Sequence, residues 1–227
     1  MANEKQNETR TSIDELNDTL TNVVEQKVQN NKKSIVTAIL AVVVIAAAVI
    51  FFLDMRQESA NAANDAIGQA DISLAQGNDS IALVQYMQVA DNEGYDAGNR
   101  AALQAAILLY KKGDYQKSLD YLAKYSQKEA LVGAASFSLE GDCYVNLEKY
   151  PEAVKSFEKA IDASDNNAFY TPLFMIKQAN VYRALKEYNK EVALFEKIKA
   201  EYPEYAAAYN LDIEKYIERA KAMANAE

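Results

Sequence analysis

The side chains that carry most acid–base and nucleophilic catalysis are nearly missing from this sequence. It has no histidine, and its one cysteine is Cys143. Without imidazole there is no Ser-His-Asp or Cys-His nucleophile, no histidine base, and few ways to build a zinc site. One cysteine allows no internal disulfide and fits an oxidising compartment, where spare thiols are a liability. Gly-rich phosphate loops, Gly-x-Ser-x-Gly and calcium-loop spacings do not occur. The sequence thus predicts no enzyme, no cofactor, no metal and no small-molecule substrate.

What remains is contact chemistry. Leu103, Ile107 and Tyr110 are spaced four and three residues apart, so they share one helix face. Together they are more apolar than a solvated face needs. With Lys111, Asp142, Asn180 and Arg183 they are the expected partner-binding residues. Cys143 reads as a small buried side chain.

Charge narrows the partner. After residue 33 the chain has 19 basic and 27 acidic residues, a net charge of −8. Nucleic-acid binding needs basic patches that displace counterions, so no nucleic acid is expected. Protein is the expected partner.

Residues 34–53, Ser34 to Leu53, contain no charge, proline or glycine. As a helix the run spans roughly 30 Å, the thickness of a bilayer's hydrocarbon core. A cleaved signal peptide has a shorter apolar region and a shorter leader than the 33 residues found here. Although Ala60-Asn61-Ala62 offers a cleavage pattern, an uncleaved anchor is the expectation. A lipoprotein signal is excluded because Cys143 lies far downstream. Lys27, Lys32 and Lys33 precede the run and only Arg56 follows closely, which predicts a cytoplasmic N-terminus. The expected domains are a cytoplasmic tail (1–33), a transmembrane helix (34–53) and a large part outside the cytoplasm (54–227). The tail carries a capping-box pattern, Ser12-x-x-Glu15, with Ile13, Leu16, Leu20 and Val23 at heptad-like spacing. A helix so short is marginal alone, so it is expected to form only on contact with a partner.

Beyond residue 54 the chain is alanine-rich and amphipathic, with few glycines and no period-2 alternation, so it reads as helix. It also repeats. Asp79, Tyr115, Tyr150 and Tyr188 mark turns 36, 35 and 38 residues apart. Small residues Ala70, Ala106, Gly141 and Ala179 precede the turns, with Ser73, Leu109, Tyr144 and Tyr182 three residues further on. After each turn come Ala82, Ser118, Ala153 and Glu191, then Tyr86, Leu122, Phe157 and Phe195. This pattern resembles the tetratricopeptide repeat, a helix–turn–helix unit of about 34 residues. The third unit, Ala134 to about Asp165, matches best. The first lacks aromatics at Ser73 and Asp79, and the fourth has Glu191 where a small residue is expected. Thr171-Pro172 reads as a helix start with Thr171 as cap, and 162–170 as a loop. Tyr209, Ile213, Tyr216 and Ala220 fall on one face of a final capping helix. The resemblance implies an all-α fold: one transmembrane helix, then a right-handed tetratricopeptide-like solenoid of about four helix pairs and a C-terminal cap. Its inner face would carry Ile67, Asp71 and Leu74, then Leu103, Ile107, Tyr110 and Lys111, then Ser138, Asp142 and Val145, then Ile176, Asn180 and Arg183. The basic clamp that cytosolic chaperone-binding repeats use for a C-terminal carboxylate is missing.

A short tail, one membrane helix and an acidic exported repeat domain resemble the ancillary subunit of the bacterial Sec translocon. The stretch Asn167-Ala168-Phe169-Tyr170-Thr171-Pro172 and the ending Ile213 to Ala220 also look like single-span repeat proteins of Bacteroidetes-type bacteria. The resemblance implies a membrane-anchored interaction module of the bacterial envelope. It would sit in the inner membrane with its C-terminal domain in the periplasm and assist translocon- or chaperone-associated handling of exported proteins. A scaffold subunit of another envelope assembly or secretion machine is the alternative. Its partners would be the translocon, a periplasmic chaperone or other envelope subunits.

Overall fold

A computed structural model describes residues 19–22, 32–92, 95–127 and 129–226. The capping-box residues Ser12 and Glu15, with Ile13, Leu16 and Val23, lie outside them; Leu20 lies in a single helical turn and is exposed. The chain divides into two units, 1–59 and 60–227. Among the described residues there is no strand. The helices are α1 (Lys32–Ala75), α2 (Asp79–Asn92), α3 (Tyr95–Lys112), α4 (Tyr115–Leu122), α5 (Ala130–Asn146), α6 (Tyr150–Ala163), α7 (Tyr170–Ala184), α8 (Tyr188–Glu201), α9 (Pro203–Ala208) and α10 (Ile213–Ala224).

In the first unit, α1 is long and apolar enough to cross a membrane, and none of its apolar stretch is buried by protein. A helix apolar on every side has no polar face to turn to water. Within the stretch, Thr37 folds its hydroxyl back to donate to the Lys33 carbonyl at 2.7 Å.

The second unit is a series of helix pairs: the end of α1 with α2, α3 with α4, α5 with α6, and α7 with α8. Packing runs from each helix to the next, and α10 returns onto α8. The four turns share one hydrogen-bond pattern. Asn78, Asp114, Lys149 and Glu187 donate their backbone N–H to Ser73, Leu109, Tyr144 and Tyr182, five residues back. That is the Schellman helix stop, which needs a left-handed residue one position earlier. Gly77 and Gly113 supply it without strain at φ 78° and 84°, and Glu148 and Lys186 adopt it at 58° and 61°.

The small-residue positions explain the close pairing. Ala70, Ala106 and Ala179 are fully buried, and Gly141 is buried beneath the Phe157 ring. Across each pair Ala82, Ser118 and Ala153 are also fully buried. The Ser118 hydroxyl donates to the Ala106 carbonyl at 2.8 Å, and the buried Cys143 thiol lies 3.3 Å from it. Burial pushes that thiol up to about 11, so it stays protonated and inert at neutral pH.

Glu191 breaks the small-residue rule and is also fully buried. Arg219 of α10 reaches it at 2.5 Å. Around this pair Ile213, Ile217 and Ala220 pack inward, and Tyr216 stacks on Phe195 at 5.1 Å. The cap is thus seated by an ion pair inside an apolar contact. Removing one partner strands the other's charge, which costs about 3–5 kcal/mol in fully buried pairs. Arg219 is 39% exposed, so water softens the penalty. Arg219→Met is expected to destabilise by about 2–3 kcal/mol, read by denaturant unfolding, while Arg219→Met combined with Glu191→Ala recovers most of the loss. Equal losses in the single and double variants would contradict the pairing.

Three details differ from the sequence expectation. Helix α7 is capped by Asn167, whose Oδ1 accepts from the backbone of Phe169 and Tyr170, both at 3.0 Å. Thr171 lies inside the helix and is buried; its hydroxyl meets that of Ser164 at 2.6 Å. The loop is shorter than 162–170, because α6 continues to Ala163 and α7 begins at Tyr170. The terminal helix is two helices, broken where Asn210 turns to φ 49°. Asp212 restarts it by accepting from the Lys215 N–H at 3.1 Å, which leaves Tyr209 exposed and outside the cap.

The first two pairs are tied by Asp91 of α2, which accepts from Tyr121 at 2.9 Å and from Lys124 at 2.5 Å. Burial first, then the bond to Asp91 and its charge, push the Tyr121 phenol from 10.0 up to about 12. The folded state therefore holds a proton that the unfolded chain releases near pH 10. This contribution is complete below pH 10 and is lost as pH rises toward 12. Thermal unfolding should show an alkaline decline to which the other raised phenols, Tyr86 foremost, also contribute, and Tyr121→Phe should make it shallower; an identical decline in the variant would contradict the assignment.

Candidate functional site

The first helices of the second, third and fourth pairs surround an open hollow of about 340 Å³. Leu103 and Ile107 come from successive turns of α3. Leu131, Ala135 and Leu139 recur every four residues along α5, and Tyr170 opens α7. Ala135 is small enough to leave the space empty. Ser136 also borders the hollow, but it is buried and its hydroxyl donates to the Gly133 carbonyl at 2.7 Å. Among the described residues, no carboxylate, amine or thiol lines the hollow. Its walls offer apolar contact, with Leu131 46% exposed at the rim. Such a surface can hold aliphatic or aromatic side chains; the side-chain polar groups on it are the Tyr170 phenol and the Ser136 hydroxyl.

Aromatic contacts extend outward from Tyr170. Its ring meets Phe169 edge-on at 4.9 Å, and Phe169 lies 6.0 Å from Tyr205 and 5.8 Å from Tyr209. Phe169 and Tyr209 are exposed, at 41% and 52%. This cluster rests on the 164–169 loop and on the break before α10.

A second hollow, of about 210 Å³, is bordered by Asp142, Val145, Phe157, Lys177 and Asn180. Here the charges are already matched. Lys177 Nζ lies 2.5 Å from Asp142 Oδ2 and donates to Ser138 Oγ at 3.0 Å. Burial nevertheless raises the Asp142 carboxyl above its usual range, against the pull of Lys177. Arg183 donates to Asn180 Oδ1 at 2.9 Å. A third hollow, of about 290 Å³, lies by Lys186, Glu187, Tyr188 and Lys190 near the end of α10, and it contains the Lys190–Glu187 ion pair at 2.5 Å.

Of the residues expected to bind a partner, Leu103 and Ile107 come together in the apolar hollow. Tyr110 does not line it; half-buried, it packs on Tyr115 with ring centres 5.5 Å apart, and burial raises its phenol. Lys111 is exposed at the end of α3. Asp142 and Asn180 border the second hollow, and Arg183 stands exposed beside Asn180. The inner-face assignment needs correction at Ile67 and Ser138, which are 2% and 4% exposed and belong to the interior. Asp71 is engaged by Tyr86 at 2.5 Å and by Arg100.

Counting one turn back and one turn forward from Gly141, to Ser138, Asp142 and Val145, missed Leu131, Val132, Ala135 and Leu139. Continuing back two further turns from Ser138 would have reached the first three. Tyr170 was hidden by the loop before α7, whose length shifts the repeat register.

A family model described as a tetratricopeptide repeat-like domain matches residues 52–183. No curated protein matches the sequence. Solved structures share the fold at low identity. A MamA protein is 15% identical with a TM-score of 0.55, covering 72% of this chain and 88% of its own. MamA from residue 41 of Desulfovibrio magneticus RS-1 is 15% identical with a TM-score of 0.53, covering 73% and 96%. PilF of Pseudomonas aeruginosa is 14% identical with a TM-score of 0.51, covering 70% and 72%.

Proposed function

The chain belongs to the tetratricopeptide repeat-like domain family, and from that premise we propose that it is a membrane-anchored protein-binding module of the bacterial cell envelope. The observation that carries the binding half is the apolar hollow on the first helices of three successive pairs. An open surface made mainly of aliphatic side chains, with the Tyr170 ring at one side, suits the anchors of a protein partner. The charge balance favours protein over nucleic acid as that partner. The anchoring half rests on the uncharged run 34–53 and on Lys27, Lys32 and Lys33 before it. A module held at a membrane raises the local concentration of any partner there. A place beside the translocon or a periplasmic chaperone, with the domain assisting exported chains, is the finer form of this reading.

Two experiments test the halves separately. A photo-cross-linking residue at Val132, in the hollow wall, should capture protein partners in cells, whereas one at Glu158, exposed on α6, should not. Equal capture at both positions would contradict the binding surface. For the anchor, protease added to spheroplasts should digest the chain beyond residue 53 and leave the N-terminus protected. A soluble mature form starting near Ala63 would sink it.

A further inference from the structure

The last helix depends on a turn that its own sequence does not require. Residues 204–227 contain neither glycine nor proline and are rich in alanine, glutamate and lysine, all strong helix formers. The structure nevertheless ends α9 at Ala208 and begins α10 at Ile213. Between them the Leu211 N–H donates to the Ala206 carbonyl at 2.9 Å, a helix stop that needs the left-handed Asn210 before it. Asn210 is exposed. With helical angles through 209–212, α9 and α10 would join into one helix from 203 to 224, roughly 33 Å long, and α10 would leave α8.

The seat under α10 is matched to it in charge. There α8 presents Glu191, Glu196 and Lys199, and α10 answers with Arg219 at 2.5 Å, Lys221 at 2.7 Å and Glu214. Phe195 and Ile198 share one apolar cluster with Ile213 and Ile217. A vacated seat would expose that cluster and strip Glu191 of its cation. It needs a helix with the same bases, acid and apolar stripe, and the α10 of a second copy has all of them. In the closed form, Glu191 Oε2 and Arg219 Nε are buried without a hydrogen-bond partner among the described residues. The pair thus makes one of the two parallel bonds open to a guanidinium and a carboxylate. An α10 arriving from a second copy is not tethered through 209–212, and its arginine is free to make both.

We infer that α10 is exchanged between copies of this chain: the α8 seat of one copy receives α10 of a second, and each Arg219 pairs with the other copy's Glu191. The contacts are those of the closed form, which makes exchange a low-cost route to a dimer. Short hinges under strain promote such swaps. The seat shares no residue with the lining of the apolar hollow, and the exchange does not depend on what the hollow binds.

The test uses full-length copies with two different tags, co-expressed in membranes. One carries Lys199→Cys and the other Glu214→Cys, positions that face each other across the seat. The native Cys143 is buried, and the chain with Cys143 alone is the blank. A short bismaleimide should join the two tags far more often than it joins Glu214→Cys to Glu158→Cys, exposed on α6. Asn210→Ala penalises the left-handed turn and favours helix, whereas Asn210→Gly relieves the turn and disfavours helix. The yield in the alanine variant should exceed that in the glycine variant by at least about fivefold, with wild type between them. If the linker joins 199 to 214 within a chain carrying both cysteines but never joins the two tags, α10 stays on its own copy and the exchange is wrong. Equal yields with Glu158→Cys would mean crowding alone and would also overturn it. Unchanged yields in both Asn210 variants would remove the hinge, and with it the exchange.

Discussion

Replacing Gly141 with leucine is expected to lower the stability of the repeat unit by about 1–3 kcal/mol or more, the usual result of overpacking a core. A single Cβ at this position would sit 2.7 Å from Phe157 Cε1 and 2.8 Å from Cζ. Phe157 cannot swing away, because it is 1% exposed and packed among Ala153, Val181 and Tyr144. The two helices of the third pair must therefore separate. In a unit of this length each kcal/mol lowers Tm by roughly 2–4 °C, so a fall on the order of 5–10 °C is expected. Repeats support only their neighbours, and the damage should reach the second and fourth pairs in hydrogen exchange. Gly68→Ala is the control: nothing lies within 4 Å of its added Cβ, and the change should be neutral or mildly stabilising. An unchanged Tm in Gly141→Leu would refute the packing assignment.

The repeat was legible because its packing needs particular residue sizes at fixed spacing. Ala70, Ala106, Gly141 and Ala179 are buried as the pattern required, and the turns fall where Gly77 and Gly113 announce them. The weak first pair was legible too, since Tyr86 fills the aromatic position after the turn. What the sequence hid was non-local. Glu191 looked like a departure from the pattern, and its partner Arg219 lies 28 residues away. The Asn167 cap competed with the stronger Thr171-Pro172 signal, and only the position of the first helical turn decides between them. The apolar hollow needs side chains from three helices, so one stripe could supply Leu103 and Ile107 but not the facing wall. Tyr110 shares that stripe yet packs on Tyr115 of the next helix in its own pair.

The largest effect on function is expected from Ile107→Glu. Ile107 is half-buried and lines the hollow, so in the free protein a glutamate there can reach water and the fold should survive. Once a partner covers the hollow, that carboxylate would be shut away with no cation among the described lining residues, whose only side-chain donors are the Tyr170 and Ser136 hydroxyls. Burying an unpaired charge costs several kcal/mol. A loss of about 2–4 kcal/mol is the scale of an interface hot spot, and it weakens association by roughly 30- to 1,000-fold. Tyr110→Ala is a less clean probe, because it also removes the Tyr115 contact. Protein binding in this hollow is read by co-purifying full-length wild type and Ile107→Glu from membranes after cross-linking, with circular dichroism as the folding control. Ile107→Glu should be folded and should have lost the wild type's partners; a folded variant that keeps every one of them would rule out the hollow as the binding surface.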